Sequence, residues 1–191
     1  VGCGRPLVSH PNVLILAVEG LSPDDIPCST GSRPEVQSGF DWLCQEGRTL
    51  DSLHADSEYS LPSLASFLFG LEPAKLKVQD NNDYVRAESE AFAETAYDRG
   101  WATAFFGSTP LFLRRSGLAQ GFESFNESTQ IEAERWGRGR DQIIQDFLRW
   151  RAEQGRSSFY SVLTFSDLNF PWMRATSLAG QERSRSVESQ V

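Results

Sequence analysis

The chain has 191 residues, of which 39% are hydrophobic, and a formal net charge of −8. This length suits one domain with its own core. The negative charge argues against a nucleic-acid partner, because binding phosphate backbones needs a basic surface. No apolar run reaches the roughly 20 residues that span a bilayer, so a membrane-spanning helix is not expected.

The N-terminal part predicts a tether followed by a buried strand. Residues 1–11 show no periodicity and contain two prolines, which is typical of a tether. Asn12 to Val18 is apolar on both faces and predicts a central strand of a parallel sheet. Glu19 follows at the carboxyl end of this strand, where open α/β sheets place their ligands. A carboxylate there needs a partner, and a metal ion, an arginine and a backbone N–H all remain open.

A loop, a helix and a second strand are predicted next. Residues 20–33 form a polar loop, and its pair Asp24-Asp25 is interpreted as a solvated turn. Pro34 to Glu46 predicts a helix because its apolar residues share one face, with Gly47 as the stop. Thr49 to Ala55 predicts a strand, and a structural role is favoured for His54 near its end.

The next helix is predicted between Ser60 and Gly70, with Pro62 in its first turn. Ser60 stands where a helix begins, and two interpretations of it remain open. It is either an ordinary N-cap or a nucleophile beside an anion site, because backbone N–H groups and the macrodipole favour negative charge there.

The rest of the chain alternates helices and strands. The predicted elements are a polar loop over 72–86, a helix from Ala87 to Arg99, a strand from Trp101 to Phe106, a glycine-punctuated loop from Gly117 to Phe122, a helix from Asp141 to Glu153, and a strand from Ser158 to Phe165. Within the first loop, Gln79 to Asp83 is interpreted as a plain loop, because it lacks the spacing and the final glutamate of a calcium-binding EF-hand. The alternation predicts an α/β domain over 12–176, with a mostly parallel sheet and helices on both faces. Residues 177–191 are expected to be a polar tail or a truncated continuation.

The apolar strand ending at Glu19 and the helix that begins near Ser60-Leu61-Pro62-Ser63 together resemble the N-terminal half of the sulfatase-like branch of the alkaline phosphatase superfamily. In that branch a first strand ends in acidic metal ligands, and the nucleophile stands just before a Pro-Ser helix that ends in glycine. Glu19 occupies the first ligand position and Ser60 the nucleophile position. The segments Phe92 to Phe106, Gly117 to Phe125 and Phe159 to Trp172 resemble later family segments in the right order.

The chain departs from the family pattern at several chemical positions. Gly20 stands where sulfatases place a second metal-binding aspartate, and Leu64 replaces the arginine of the formylglycine signal, so formylglycine is not expected. Thr164 and Asn169 replace two histidines of the last motif, while Asp167 remains. The resemblance implies that these three residues bind substrate. The later metal ligands have no counterpart, so the sheet is expected to be incomplete at its C-terminus and completed by a missing C-terminal half or a second polypeptide.

The resemblance implies a metal-dependent hydrolase or transferase of sulfate or phosphate esters. One divalent metal (Ca, Zn or Mn), held partly by Glu19, would activate the Ser60 hydroxyl, and helix N–H groups would take up developing charge. Glutamate also stands at the first ligand position in phosphoethanolamine transferases and lipoteichoic acid synthases. The former place their nucleophile further upstream, which makes Ser57 the second choice. A catalytically inactive binding or structural domain is the alternative.

The three cysteines bear on location. Val1-Gly2-Cys3-Gly4 is similar to the end of a bacterial lipoprotein signal, in which Cys3 would carry the lipid, and chance is the competing explanation. The resemblance implies an extracytoplasmic protein whose contact with the membrane is only through that lipid. Cys28 and Cys44 permit a disulfide. Two free thiols, one in a loop and one in a helix, are the favoured interpretation.

Overall fold

The computed structural model of the protein describes residues 11–26, 28, 38–50, 52–127, 131–132 and 135–168. A parallel sheet of four strands forms the centre of this part, in the order β1-β6-β2-β3. Its strands are β1 (Val13–Val18), β2 (Ala102–Phe106), β3 (Ser124–Asn126) and β6 (Phe159–Phe165). A short antiparallel hairpin, β4 (Ile131–Glu132) with β5 (Arg135–Trp136), lies outside this sheet.

Helices cover both faces of the sheet. The described helices are α1 (Gly39–Glu46), α2 (Ser60–Phe69), α3 (Pro73–Leu76), α4 (Phe92–Asp98) and α5 (Arg140–Glu153). Alternate strand residues point to opposite faces. Tyr160 and Val162 join the core that includes α2 and α4, whereas Phe159 and Leu163 pack with α5. The predicted fold class, an α/β domain with a parallel sheet and helices on both faces, is therefore confirmed.

An aromatic cluster fills the larger core. The Phe105 ring is fully buried and stacks on Phe125 with their centroids 4.6 Å apart. Phe112 and Phe122 meet the same ring edge-on at 6.4 Å and 5.6 Å. These arrangements suit the ring quadrupoles, so the cluster fixes β2 and β3 against the loop between them.

Several predicted elements differ from the observed ones. Within the described sheet β1 is an edge strand rather than a central one, and its Leu14 and Leu16 are exposed. The predicted strand from Thr49 to Ala55 is absent in its described residues, where Leu50 and Leu53 are each 72% exposed. Strand β3 was not predicted. Helix α4 begins at Phe92 rather than Ala87, because the Glu94 carboxylate accepts a hydrogen bond from the Ala91 N–H and caps the helix there.

A disulfide joins Cys28 to Cys44, with a Cα–Cα distance of 5.6 Å. The interpretation of these cysteines as free thiols was therefore wrong. No local pattern in the sequence indicates that the loop after β1 returns to α1. The bond closes a loop between residues 16 positions apart and ties the segment that follows Glu19 to that helix.

Some predictions fall on residues outside the described ranges. These are residues 1–10 of the tether, with Cys3, the start of the helix predicted from Pro34, Asn169, and the tail over 177–191. Lipidation at Cys3 thus stays a prediction, and so do the boundaries of the domain. Within the described ranges, no helix combines the length and apolarity needed to cross a membrane.

Tyr160 gives this core an expected pH dependence. Its side chain is 6% exposed, and burial raises the pKa of its phenol to about 12. The unfolded phenol titrates near about 10, so its stabilising contribution is complete below that pH and is lost as the pH rises toward 12. We expect the free energy of unfolding of Tyr160→Phe to fall less steeply than that of the parent over this interval, by up to about 1.4 kcal/mol per pH unit. Urea unfolding of both proteins across this range measures the difference, and parallel curves would contradict it.

Candidate active site

Glu19 lies at the carboxyl edge of the sheet. Its backbone N–H donates to the Phe165 carbonyl oxygen at 2.8 Å, which extends the pairing of β1 with β6 by one residue. Gly20 then takes a φ of 75°, a left-handed conformation that turns the chain away from the sheet. The strand therefore delivers the carboxylate to the edge where parallel sheets bind ligands.

Ser60 meets Glu19 at this edge. Its Oγ donates a hydrogen bond to Oε2 of Glu19 at 3.0 Å, although the two residues are 41 positions apart. Ser60 is the first residue of α2, and Tyr59 is the N-cap without a side-chain capping bond. The N-cap interpretation of Ser60 was therefore wrong, and the expected meeting of the carboxylate with the hydroxyl is observed. The catalytic and metal-binding roles of the pair stay predictions.

Ser57 occupies the turn that leads into α2. Its Oγ accepts a hydrogen bond from the Tyr59 N–H at 3.1 Å, so the hydroxyl shapes the entry to the helix. This local bond is typical of serine in turns. Ser57 as an alternative nucleophile stays a prediction.

The amides at the start of α2 are largely engaged. The Leu61 N–H donates to Oδ1 of Asn81 at 2.9 Å, Pro62 has no N–H, and the Ser63 N–H donates to the Tyr59 carbonyl at 3.1 Å. The expectation that several helix amides face a developing oxyanion was therefore wrong. Within the first turn, the amide of Ser60 itself is the remaining candidate.

The loop that carries Asn81 is held in shape by its own aspartates. Asp83 Oδ2 accepts from the N–H groups of Gln79 and Asp80 at 2.7 and 3.2 Å, and Asp80 Oδ1 accepts from the Asn82 N–H at 2.6 Å. The predicted plain loop is therefore observed, and its function is to present Asn81. Because the pairing is long-range, no local sequence signal identified it.

We expect Asn81→Ala to lower the free energy of unfolding by about 1 kcal/mol, because it leaves the Leu61 N–H without its acceptor. Asn82→Ala is the matched control, since Asn82 takes part in the loop through its backbone N–H. Urea unfolding of both variants measures the effect. Equal stability of the two variants would contradict a capping role for Asn81.

A cleft of about 740 Å³ opens beside the pair. Its walls come from the end of β1, the segment before α2 and the first turns of α2. Described lining residues include Glu19, His54, Ser57 and Ser60. His54 thus lines the cleft, as the less favoured of its two interpretations expected, although a structural role for it was preferred.

Thr164 and Asp167 lie apart from the cleft lining. Thr164 is fully buried, and its Oγ1 accepts a hydrogen bond from the Ser108 N–H at 2.9 Å. Asp167 Oδ1 accepts from the Arg140 N–H at the start of α5, at 3.4 Å, and its Oδ2 is buried without a hydrogen bond among the described residues. Both side chains accept hydrogen bonds from backbone N–H groups at the sheet edge. Substrate binding by Thr164, Asp167 and Asn169 stays a prediction.

An arginine at the same edge is already paired. The partly buried Arg138 guanidinium donates to Asn126 Oδ1 and Asp146 Oδ2. Burial lowers the pKa of Arg138, and the Asp146 carboxylate opposes this shift. The charge of Arg138 is therefore used to join β3 to α5, and it does not reach the cleft lining.

A metal ion would find two suitable donors in the pair. The Glu19 carboxylate and the Ser60 hydroxyl are adjacent oxygen ligands, which hard divalent cations prefer. Among the described residues, no group of three His, Cys, Asp or Glu side chains could hold a metal. The pair thus fits part of a coordination shell, and the other ligands would come from outside the described residues.

Comparison of the fold with solved structures identifies its class. BT4656, solved in complex with its substrate D-glucosamine-2-N,6-O-disulfate, matches with a TM-score of 0.72 and 18% identity, over 86% of this chain and 36% of that one. A protein of the alkaline phosphatase superfamily from Vibrio parahaemolyticus matches with a TM-score of 0.64 and 20% identity, over 93% of this chain and 45% of that one. A phosphonate monoester hydrolase of Agrobacterium radiobacter matches with a TM-score of 0.63 and 18% identity, over 82% of this chain and 41% of that one. The fold is therefore that of the alkaline phosphatase superfamily.

The sequence assigns the chain more narrowly. The Sulfatase family model matches residues 11–184, so the chain belongs to the sulfatase family. A search of the curated proteins gave no match. The chain spans less than half the length of the solved structures described above.

Proposed function

We propose that the protein is a sulfatase-like hydrolase or transferase of sulfate or phosphate esters, with Ser60 as its nucleophile. The observation that carries this proposal is the 3.0 Å hydrogen bond from Ser60 Oγ to Glu19 Oε2 at the carboxyl edge of the sheet. A hydroxyl beside a carboxylate is an arrangement that activates a nucleophile, because the carboxylate orients it and accepts its proton.

The chemical step then follows from these two side chains. Ser60 Oγ forms a bond to the sulfur or phosphorus of the ester, and its proton passes to Glu19. The bond to the leaving alcohol breaks, and that oxygen departs with the electron pair and takes a proton from water. Water or an acceptor alcohol then attacks the sulfur or phosphorus, and the bond to Ser60 Oγ breaks. The proton held by Glu19 returns to Ser60 Oγ, and the proton of the attacking molecule passes to the hydroxide left by the first step. A divalent metal bound through Glu19 would add Lewis-acid polarisation of the ester.

The relatives support the class of substrate. BT4656 was solved with a sulfated sugar, and the Agrobacterium protein is a phosphonate monoester hydrolase. This chain spans 36% and 41% of those two structures. We therefore propose that further residues, from a continuation of the chain or a second polypeptide, complete the ligand set.

An extracytoplasmic location is proposed on the evidence of the disulfide. Cys28 and Cys44 are bonded, and such bonds persist in oxidising compartments. The proposed lipid at Cys3 would hold the protein at the cell surface or in the periplasm. Mass spectrometry of the native N-terminus tests the lipid.

The test of function uses the protein expressed from its complete reading frame. Para-nitrophenyl sulfate and para-nitrophenyl phosphate are supplied with Ca²⁺, Mn²⁺ or Zn²⁺, and acid-quenched samples are examined by mass spectrometry. We expect turnover of one of the two esters and a covalent sulfo or phosphoryl group on the Ser60 oxygen. Neither turnover nor adduct with any metal would overturn the proposal.

A non-catalytic binding domain is the second candidate. It is favoured by Gly20 at the position of a second acidic ligand and by the buried hydroxyl of Thr164. Binding of a sulfated sugar without turnover would support it.

A further inference from the structure

One wall of the cleft is a segment without regular secondary structure. Residues 47–50 and 52–59, which we call the wall segment, join α1 to α2 and form neither helix nor strand. Residues 53–59 of this segment line the cleft. Because it lacks a ladder of backbone hydrogen bonds, the wall segment takes its position largely from the elements that hold its two ends. These elements are α1 at its start and Ser60 of α2 at its end.

The disulfide holds the α1 end of the wall segment. Apolar burial does little to fix α1, because its Phe40, Trp42 and Leu43 are 40%, 55% and 48% exposed. Cys44 lies in this helix and is bonded to Cys28 in the loop that follows β1. The disulfide therefore attaches α1, and with it the start of the wall segment, to the loop on the other side of the cleft entrance.

Thr49 gives the two sulfur atoms of this disulfide different properties. Its hydroxyl, in the wall segment, donates a hydrogen bond to Sγ of Cys28 at 3.2 Å. A disulfide sulfur is a weak acceptor and a thiolate is a stronger one, so the hydroxyl stabilises Cys28 most once the bond has broken. Exchange is faster when the leaving thiolate is stabilised, which favours Cys28 as the leaving sulfur and Cys44 as the attacked one. Both cysteines are partly exposed, so a thiol can reach the bond.

We propose that the Cys28–Cys44 bond is a thiol-exchange site that controls the order of the wall segment. A thiolate of a dithiol reductant forms a bond to Sγ of Cys44, and the disulfide breaks with its electron pair on Cys28. The second thiol of the reductant then displaces Cys44, so the dithiol is oxidised to a disulfide and its two protons pass to the two cysteines. Reduction removes the covalent attachment of α1, and the wall segment becomes mobile. This inference does not depend on the ester chemistry proposed for Ser60.

The direction of the exchange is tested by reacting the full-length protein with glutathione. Samples are quenched with acid, alkylated with N-ethylmaleimide and mapped by mass spectrometry. We expect the first glutathione on Cys44 and the alkyl group on Cys28. Thr49→Val is expected to slow the initial reaction about threefold, and Thr49→Ser, which keeps the hydroxyl, to retain the parent rate. Glutathione mainly on Cys28, or equal rates in the three proteins, would overturn the assignment of the leaving sulfur.

The effect on the wall segment is tested by limited trypsin digestion of the full-length parent and of the double variant Cys28→Ser with Cys44→Ser. Arg48 is exposed in the wall segment, and the exposed Arg86, in the loop before α4, is the internal reference. We expect cleavage after Arg48 to be about tenfold faster in the double variant and cleavage after Arg86 to be unchanged, because proteolysis follows local opening. Unchanged cleavage after Arg48 would overturn the proposal. Equal acceleration at both arginines would also overturn it, since the disulfide would then stabilise the whole fold rather than this segment.

Discussion

Replacing Ser60 with alanine is expected to lower ester turnover by about 10⁴-fold or more and to abolish the covalent adduct. The hydroxyl donates the hydrogen bond to Glu19, so its removal deletes the attacking atom while the backbone of α2 is unchanged. The free energy of unfolding is expected to change by less than about 1 kcal/mol, because one partly exposed hydrogen bond is lost. Steady-state kinetics and urea unfolding measure the two effects.

Two other serines serve as controls. Ser63 lines the same cleft one turn further along α2, and Ser57 is the alternative nucleophile. We expect Ser63→Ala and Ser57→Ala to keep the covalent adduct on Ser60. An adduct that disappears in Ser57→Ala but persists in Ser60→Ala would transfer the nucleophilic role to Ser57.

Gly121→Ala is expected to lower the free energy of unfolding by about 3 kcal/mol or more. Gly121 has a φ of +76°, and a Cβ built there would lie 2.1 Å from the Glu94 nitrogen and 2.4 Å from the Ala93 carbonyl carbon. Both contacts are to backbone atoms of α4, which cannot rotate away. The Gly121 carbonyl also accepts a hydrogen bond from Thr103 Oγ1 at 2.7 Å, so movement of the loop would disturb β2.

Gly139→Ala is the matched control for this position. A Cβ at Gly139 meets nothing within 4 Å, and its φ of −71° is ordinary for alanine. We expect this variant to lie within about 1 kcal/mol of the parent. Thermal and urea unfolding of both variants measure the difference. Similar decreases in the free energy of unfolding at the two positions would show that the contact between the Cβ and the α4 backbone does not cause the destabilisation.

Two of the strands that the sequence predicted well are buried along most of their length. Ala102 to Phe106 and Phe159 to Phe165 are almost entirely buried, so their apolar composition indicates that they lie inside the sheet. Thr49 to Ala55 contains two leucines among polar residues and has no neighbouring strand in the described structure, and Leu50 and Leu53 are exposed. Apolar content alone therefore did not distinguish a buried strand from a connecting segment.

The candidate site was predictable only in part, for a related reason. The family resemblance assigned Glu19 to the first ligand position and Ser60 to the nucleophile position, and a hydrogen bond between the two side chains is observed. The bond from the Leu61 N–H to Asn81 and the disulfide between Cys28 and Cys44 join segments 20 and 16 residues apart in sequence. Such pairings depend on how loops return to the helices, which no local pattern encodes.

The position of β6 between β1 and β2 has a consequence for how the protein folds. The β1–β6 contacts join residues as far apart as Asn12 and Phe159, which are separated by 147 positions. Such distant pairing closes a long loop and slows folding. During synthesis on the ribosome, β1 cannot pair until β6 has been synthesised. Glu19 takes its backbone position from Phe165, so the nucleophile and its carboxylate are brought into register late in folding. Nascent chains that end before β6 are therefore expected to leave β1 without its pairing partner and to depend on chaperones until β6 has been synthesised.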